Sequence, residues 1–139
     1  MITLTSVYRD PAAVDILYSL MRERTPEMSI SHNTMPTYLQ HARFVRDIPY
    51  AAWYIVRDAT TVEAVGAVYL TRAREVGIFI FAAHQVKGYG RQAVEELRRC
   101  HPGRILANVA PTNERSLAFF NRMGARLIQH TFQLPEEAT

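Results

Sequence analysis

The sequence contains little cysteine and lysine, and it contains no long apolar run. Its one cysteine, Cys100, cannot form a disulfide within the chain, which favours a reducing compartment such as the cytoplasm. No stretch of about 18 apolar residues could span a bilayer, so we expect no membrane partner. The segment Met1–Ser6 lacks the basic flank and apolar core of a signal peptide. We therefore expect a cytoplasmic protein.

The length and the apolar content predict a single domain over residues 1–139. With 139 residues and 48% hydrophobic residues, the chain can bury a substantial core but has no room for two domains. Lys87 is the only lysine, so the net charge of +3 comes almost wholly from arginine. This arginine bias would attract polyanions such as a nucleotide-linked ligand. Because no basic run is interleaved with aromatic residues, we do not favour a nucleic-acid partner.

The sequence also lacks the usual signatures of metal and covalent catalysis. Its five histidines lack the close spacing by which a helix or turn binds zinc, so we expect no metal. It has no Gly-x-Ser-x-Gly elbow and no paired serine and histidine for a covalent nucleophile.

A glycine-rich turn, Gln85–Arg91, follows the apolar run Val76–Phe81 and precedes an amphipathic helical pattern. Glycines at a helix N-terminus leave main-chain N–H groups open, and the helix dipole favours an anion there. Gly88 and Gly90 would let a pyrophosphate approach the main chain closely. An ordinary loop is the alternative, since a glycine pair alone is a weak signal.

A second apolar run, Ile105–Val109, is followed by a short helical segment over residues 113–124. With the glycine turn, this arrangement resembles the GNAT superfamily of acyl-CoA-dependent N-acyltransferases. Gln85-x-x-Gly88-x-Gly90 is similar to the family's pyrophosphate loop, and Asn113, Ser116 and Gly124 match its later helix. A dinucleotide-binding fold fits less well, because Ile105–Val109 does not end in an acidic residue.

The predicted fold is a mixed α/β domain with a mostly antiparallel sheet and helices on both faces. The resemblance implies that the fourth and fifth strands splay apart. The predicted strands are Ile2–Tyr8, Ala52–Arg57, Val62–Leu70, Arg74–Phe81, Ile105–Val109 and Ala125–Gln133. The predicted helices begin at Asp10-Pro11, at Thr34-Met35-Pro36 and after the glycine turn, and the last covers residues 113–124. We expect the second helix to direct Leu39, Ala42 and Val45 to the core.

The resemblance implies acetyl-CoA as the acyl donor. The main chain of the splayed fourth strand, at Ile78, Phe79 and Ile80, would hold the pantetheine arm, although these side chains would equally suit plain core packing. The cofactor-binding residues implied in this way are Ile78, Phe79, Ile80, Gln85, Val86, Lys87, Gly88, Tyr89, Gly90, Arg91, Asn113, Ser116 and Phe120.

Two positions at which family members carry catalytic groups are occupied here by residues that cannot transfer protons. Many family members carry a tyrosine seven residues after the asparagine that matches Asn113, and this position is Phe120 here. Some carry a glutamate five residues before the same asparagine, and this position is Asn108 here. Either another residue substitutes, or solvent transfers the protons, or the chain is not catalytic.

The first candidate for a substitute base is Glu75, acting directly or through water. The alternative is a solvated carboxylate paired with Arg72 or Arg74. His84 is the second candidate, because its ordinary pKa near 6.5 suits a base. The alternative for His84 is a surface histidine in a turn.

The N-terminal half should supply the acceptor pocket. Aromatic and hydrogen-bonding residues cluster there, although some could simply belong to the core. We predict acetyl transfer to a primary amine of a small metabolite, amino sugar or peptide by a monomer or homodimer. The alternative is a catalytically silent acyl-CoA-binding or nucleic-acid-associated module. The candidate pocket residues are Ser29–His32, Tyr38, His41, Phe44, Trp53 and Tyr54.

Overall fold

A computed structural model of the chain describes residues 1–23 and 35–136. Within these ranges, five strands form one sheet: β1 (Ile2–Ser6), β2 (Ala52–Asp58), β3 (Ala64–Leu70), β4 (Glu75–Ile80) and β5 (Leu106–Ala107). The described helices are α1 (Ala13–Arg22), α2 (Tyr38–Arg46), α3 (Tyr89–Cys100) and α4 (Glu114–Arg122). Short 3₁₀ turns lie at Val7–Arg9 and Ala82–His84.

The strands lie in the order β1-β2-β3-β4-β5, so neighbours in the sequence are neighbours in the sheet. The first four strands pair antiparallel, and β5 joins β4 in parallel after the crossover through α3. The prediction of a mixed, mostly antiparallel sheet is confirmed. None of the helices in the described ranges has the length and apolarity that crossing a bilayer requires.

Each face of the sheet carries its own hydrophobic core, because side chains alternate along a strand. On the face covered by α1 and α2, Trp53 and Ile55 pack with Leu17. On the opposite face, Val56 and Val68 pack with Leu97 of α3. The helices therefore lie on both faces of the sheet. The two faces of β4 pack in different cores, with Phe79 in one and Val76 and Ile78 in the other.

The helix α2 begins with a capping box. Thr37 Oγ1 accepts from the Gln40 main-chain N–H at 3.2 Å, and Gln40 Oε1 accepts from the Thr37 N–H at 2.9 Å. The helix buries His41 and Val45, whereas Leu39 is 60% exposed, so the prediction that Leu39 faces the core was wrong. The apolar residues of this nine-residue helix are spread around its axis, so the contact with α1 decides which of them are buried.

The strands β2 and β4 match their predicted bounds to within one residue, whereas β1, β3 and β5 each have an end that differs by two residues. The strand β1 stops at Ser6, because Val7 begins a 3₁₀ turn, and β3 starts only at Ala64, because Val62 adopts a positive φ of 66° in the preceding turn. The pairing of β5 is confined to Leu106–Ala107.

The predicted final strand, Ala125–Gln133, is not formed. Residues 125–136 have no regular secondary structure, and most of their side chains are exposed, including Leu127 and Phe132. An alternating pattern forms a strand only when a partner edge lies beside it, and no described strand pairs with this segment.

Candidate functional site

The strands β4 and β5 separate after two residue pairs. Glu75 pairs with Leu106 and Val76 with Ala107, and beyond this point β4 continues to Ile80 without β5 beside it. On its other edge, β4 remains paired with β3 along its length. The predicted splay is therefore present. It leaves the main-chain groups of Ile78 and the N–H of Ile80 facing an open edge, whereas the main-chain groups of Gly77 and Phe79 face β3.

The glycine turn lies where β4 ends and α3 begins. Gly88 adopts a left-handed φ of 83° and precedes the first turn of α3, which has no side-chain cap. A Cβ at Gly90 would lie 3.2 Å from Phe119 Cε1, so a larger side chain there would have to displace this ring. The first N–H groups of α3 are thus open to an anion.

Two features set the shape of this turn. The Gln85 side chain folds back, and its Nε2 donates to the main-chain oxygen of Ile80 at 3.0 Å. Val86 has a positive φ of 65°, which is unusual for a β-branched residue, and its side chain is 96% exposed. Such strain costs about 1–3 kcal/mol and is often found at ligand-binding loops.

The turn is anchored by the β2–β3 connection, which lies at the same end of the sheet. The Tyr89 hydroxyl donates to Asp58 Oδ2 at 2.7 Å, and the N–H groups of Thr60 and Thr61 donate to Asp58 Oδ1 at 2.8 and 2.9 Å. The hydrogen bond from Tyr89, followed by those from Thr61 and Thr60, lowers the pKa of Asp58 to about 2. The contact also raises the pKa of Tyr89. The β2–β3 turn thereby holds the first residue of α3.

Glu75 lies at the closed end of the splay. Asn108, which follows β5, donates a hydrogen bond from its Nδ2 to Glu75 Oε2. Neither arginine considered as a partner contacts this carboxylate among the described residues. The Arg72 guanidinium donates to the Ile48 and Pro49 carbonyls, and that of Arg74 donates to three carbonyls near the end of α3. The alternative of an ion pair with Arg72 or Arg74 is therefore wrong, and the Asn108 amide binds the carboxylate instead.

His84 lies at the other end of β4, beside the glycine turn. Its Nε2 is 3.3 Å from Glu63 Oε1, its side chain is 16% exposed, and its buried Nδ1 has no partner within the described part of the chain. The strand rises about 3.3 Å per residue, so Glu75 lies roughly 17 Å from the turn end of β4. Only one of the two candidates can therefore be near a reacting thioester.

The helix α4 brings the remaining cofactor candidates to the same edge. Asn113 Oδ1 accepts from the Ser116 N–H at 3.2 Å and caps the helix. Its amide Nδ2 is the group that remains to donate to a ligand. Phe120 packs against the core on the α3 face, next to Phe119, which contacts Gly90.

A cavity of about 410 Å³ lies between α1, α2 and the sheet. The predicted pocket residues His41, Phe44 and Trp53 line it, whereas Ser29–His32 lie outside the described residues. The full lining is Leu17, Leu20, Met21, Met35, Pro36, Gln40, His41, Phe44, Tyr50, Trp53, Ala67, Tyr69 and Phe79.

Two predicted pocket residues were placed wrongly. Tyr38 is exposed, and its hydroxyl donates to Asp15 Oδ1 at 2.6 Å. Tyr54 faces α3, where its hydroxyl lies 2.7 Å from His101 Nε2. Because Trp53 and Tyr54 are adjacent in a strand, they could not share one face. The same alternation, applied to β3, would have indicated Tyr69, which sequence reasoning missed.

The model of the acetyltransferase (GNAT) family matches residues 17–125, more than half of the chain. The chain belongs to this family. No curated protein matches it in sequence. Within the described ranges, no three His, Cys, Asp or Glu side chains are grouped to hold a metal ion.

Solved structures of other proteins share the fold of this GNAT chain. An acetyltransferase from Thermus thermophilus is 22% identical, with a TM-score of 0.72 over 93% of this chain and 89% of that one. A spermidine N-acetyltransferase from Vibrio cholerae is 19% identical, with a TM-score of 0.66 over 88% and 78%. A putative acetyltransferase from Salmonella typhimurium, solved with its cofactor acetyl-CoA, is 16% identical, with a TM-score of 0.63 over 89% and 78%.

Proposed function

We propose that this GNAT protein transfers the acetyl group of acetyl-CoA to a primary amine. The observation that carries this proposal is the open edge of β4 between the glycine turn and the Glu75–Asn108 contact. An anion at the start of α3 and an extended arm along residues 77–80 would together fit an acyl-CoA. We place the reaction in the cytoplasm, where Cys100 would remain reduced.

The open edge offers main-chain groups to the pantetheine arm as a neighbouring strand would. The pyrophosphate would lie at the N–H groups that follow Gly88, with Lys87 and Arg91 adding positive charge nearby. The thioester would then lie towards Glu75, at the closed end of the splay. This orientation favours Glu75 over His84 as the base.

The transfer is a direct displacement. The free amine attacks the thioester carbonyl carbon, a C–N bond forms, and the C–S bond breaks as CoA leaves as a thiolate. Glu75 takes the proton that the ammonium group must lose before attack, directly or through a water molecule, and releases it to solvent. The second proton, which the nitrogen loses as the amide forms, also passes to solvent. A main-chain N–H of β4 would donate to the carbonyl oxygen.

The thiolate takes its proton from solvent, because Phe120 cannot donate one. This is chemically reasonable, since a thiol with a pKa near 8.5 is a fairly good leaving group. Asn108, at the position of the family's glutamate, positions the Glu75 carboxylate instead of accepting a proton.

A turnover experiment tests the proposal against the alternative of a silent acyl-CoA-binding module. Purified protein is mixed with acetyl-CoA and a panel of primary amines, and free thiol and product mass are both recorded. We expect thiol release that depends on the amine, together with an N-acetylated product. Saturable CoA binding without thiol release for any amine would contradict the proposal and favour the silent module.

A further inference from the structure

We infer that the cavity between α1, α2 and the sheet binds an acceptor amine with an apolar, ring-sized body and one hydrogen-bond donor. This inference rests on the proposed acetyl transfer and names the class of acceptor. The volume of about 410 Å³ is sufficient for this body. A dry cavity of about 150 Å³ already holds benzene, so a ring with a short chain fits comfortably.

The wall chemistry excludes strongly polar acceptors. Five aromatic residues line the cavity, and no aspartate, glutamate, lysine or arginine is among the described residues that do so. A second ammonium group, as in a polyamine, would lose its hydration there without gaining a carboxylate. For its several hydroxyls, an amino sugar would find as polar side chains among the described lining residues only those of Gln40, His41, Tyr50 and Tyr69. The aromatic residues are Phe44, Tyr50, Trp53, Tyr69 and Phe79.

His41 supplies the one buried polar group that has a free position among the described lining residues. Its side chain lies in the cavity wall, and the residue is 3% exposed. Its Nε2 lies 3.2 Å from the Val14 carbonyl, which can only accept, so Nε2 carries the proton. Burial lowers the pKa of His41 more than the Val14 contact raises it, so the ring is neutral at neutral pH.

The other nitrogen, Nδ1, is therefore a hydrogen-bond acceptor. This nitrogen has no hydrogen-bond partner among the described residues, and it is not fully buried. A hydroxyl or N–H group on the bound ring body would satisfy it. An acceptor lacking such a donor would leave this nitrogen desolvated and unpaired.

The cavity also reaches the reacting end of the site. Tyr69 lies in its wall and is paired with Gly77 of β4, where a Cβ would lie 2.1 Å from the Tyr69 ring. Glu75 and Gly77 are two residues apart on the same face of this strand, roughly 7 Å along it. An amine on a short chain could thus extend from the cavity towards the Glu75 carboxylate.

The fluorescence of Trp53 tests the inference without requiring turnover. Trp53 is the only tryptophan in the chain and forms part of the cavity wall. With CoA present, the protein is titrated with phenethylamine, its three ring-hydroxylated isomers, propylamine, spermidine and glucosamine. We expect saturable responses to phenethylamine and its hydroxylated isomers. Their dissociation constants should be at least tenfold lower than those of propylamine, spermidine and glucosamine. At least one hydroxylated isomer should bind roughly five- to tenfold tighter than phenethylamine, the usual effect of one hydrogen bond.

Three variants complete the experiment. His41→Phe should remove the tighter binding of the hydroxylated isomer and leave the affinity for phenethylamine unchanged. Phe44→Ala removes a ring that is 38% exposed, so it should fold and weaken binding of every ring-bearing amine. Tyr54→Phe, on the opposite face, is the matched control and should change neither result.

Acetyl transfer to the same amines, followed by product mass, separates the two proposals. Acetyl transfer to spermidine or glucosamine, with no fluorescence response to phenethylamine or its hydroxylated isomers, would overturn the inference and leave the proposed function standing. Binding of ring-bearing amines without thiol release for any amine would contradict the proposed function and, with it, their assignment as acceptors. Tetramethylammonium binding as tightly as phenethylamine would indicate a cation site and overturn the ring-body assignment.

Discussion

Replacing Glu75 by glutamine removes the proposed base with minimal change in shape. The amide oxygen of the introduced glutamine could still accept the hydrogen bond that Asn108 donates, so the closed end of the splay should keep its geometry. The substituted side chain lies roughly 17 Å along β4 from the glycine turn. We therefore expect Glu75→Gln to leave CoA affinity and melting temperature close to those of the wild type.

The expected loss is in the chemical step. A positioned general base contributes about 10²–10⁴ in rate, so kcat/KM should fall at least about 100-fold at neutral pH. This corresponds to about 2.7 kcal/mol of transition-state stabilisation. Asn108→Ala should cost less, roughly three- to tenfold, because it removes the group that orients the carboxylate and leaves the carboxylate itself.

The assay is thiol release under kcat/KM conditions across a range of pH, with CoA affinity measured by calorimetry. Glu63→Gln is the matched control, since it changes only the carboxylate beside His84 and should leave kcat/KM within about twofold. A Glu75→Gln enzyme with the wild-type rate across the pH range would refute the assignment. A large loss in Glu63→Gln alone would indicate His84 instead.

Three further predictions concern the cofactor edge. Gly90→Val should abolish CoA binding in calorimetry, because the added side chain would press on Phe119 and distort the start of α3; unchanged affinity would contradict this. Asn113→Asp keeps the α4 cap but places a negative charge at the cofactor, so CoA affinity should fall about tenfold at constant melting temperature; a joint fall would indicate a capping role alone. The depressed pKa of Asp58 means that its contribution to stability is present above about pH 4 and is lost as the pH falls towards 2. Tyr89→Phe should flatten the decline of the melting temperature over this interval, and an unchanged decline would argue against the anchor.

Local patterns were sufficient to predict the elements around the glycine turn. A short apolar run, two glycines and an amphipathic stripe predicted β4, the turn and α3, because each depends on residues close in sequence. The apolar stripe of α3 buries Ala93, Val94 and Leu97. Cys100 continues the spacing of this stripe, but it is the last residue of the helix and is exposed.

Long-range contacts could not be predicted from the sequence. The partner of Glu75 is 33 positions away at Asn108, and the nearby arginines instead bind main-chain carbonyls. The burial of His41 depends on how α2 lies against Val14 of α1. The unpaired state of residues 125–133 likewise depends on which strand edges are present.

The most direct test of the account follows the main-chain amides of β4 and the glycine turn while acetyl-CoA binds. In a ¹⁵N-labelled sample, we expect the largest chemical-shift changes and slowed hydrogen exchange at Ile78, Ile80 and residues 88–91. The amides of β1, at the far edge of the sheet, should change little. Unchanged signals of Ile78, Ile80 and residues 88–91 at saturating acetyl-CoA, or changes confined to the cavity between α1 and α2, would contradict cofactor binding at this edge.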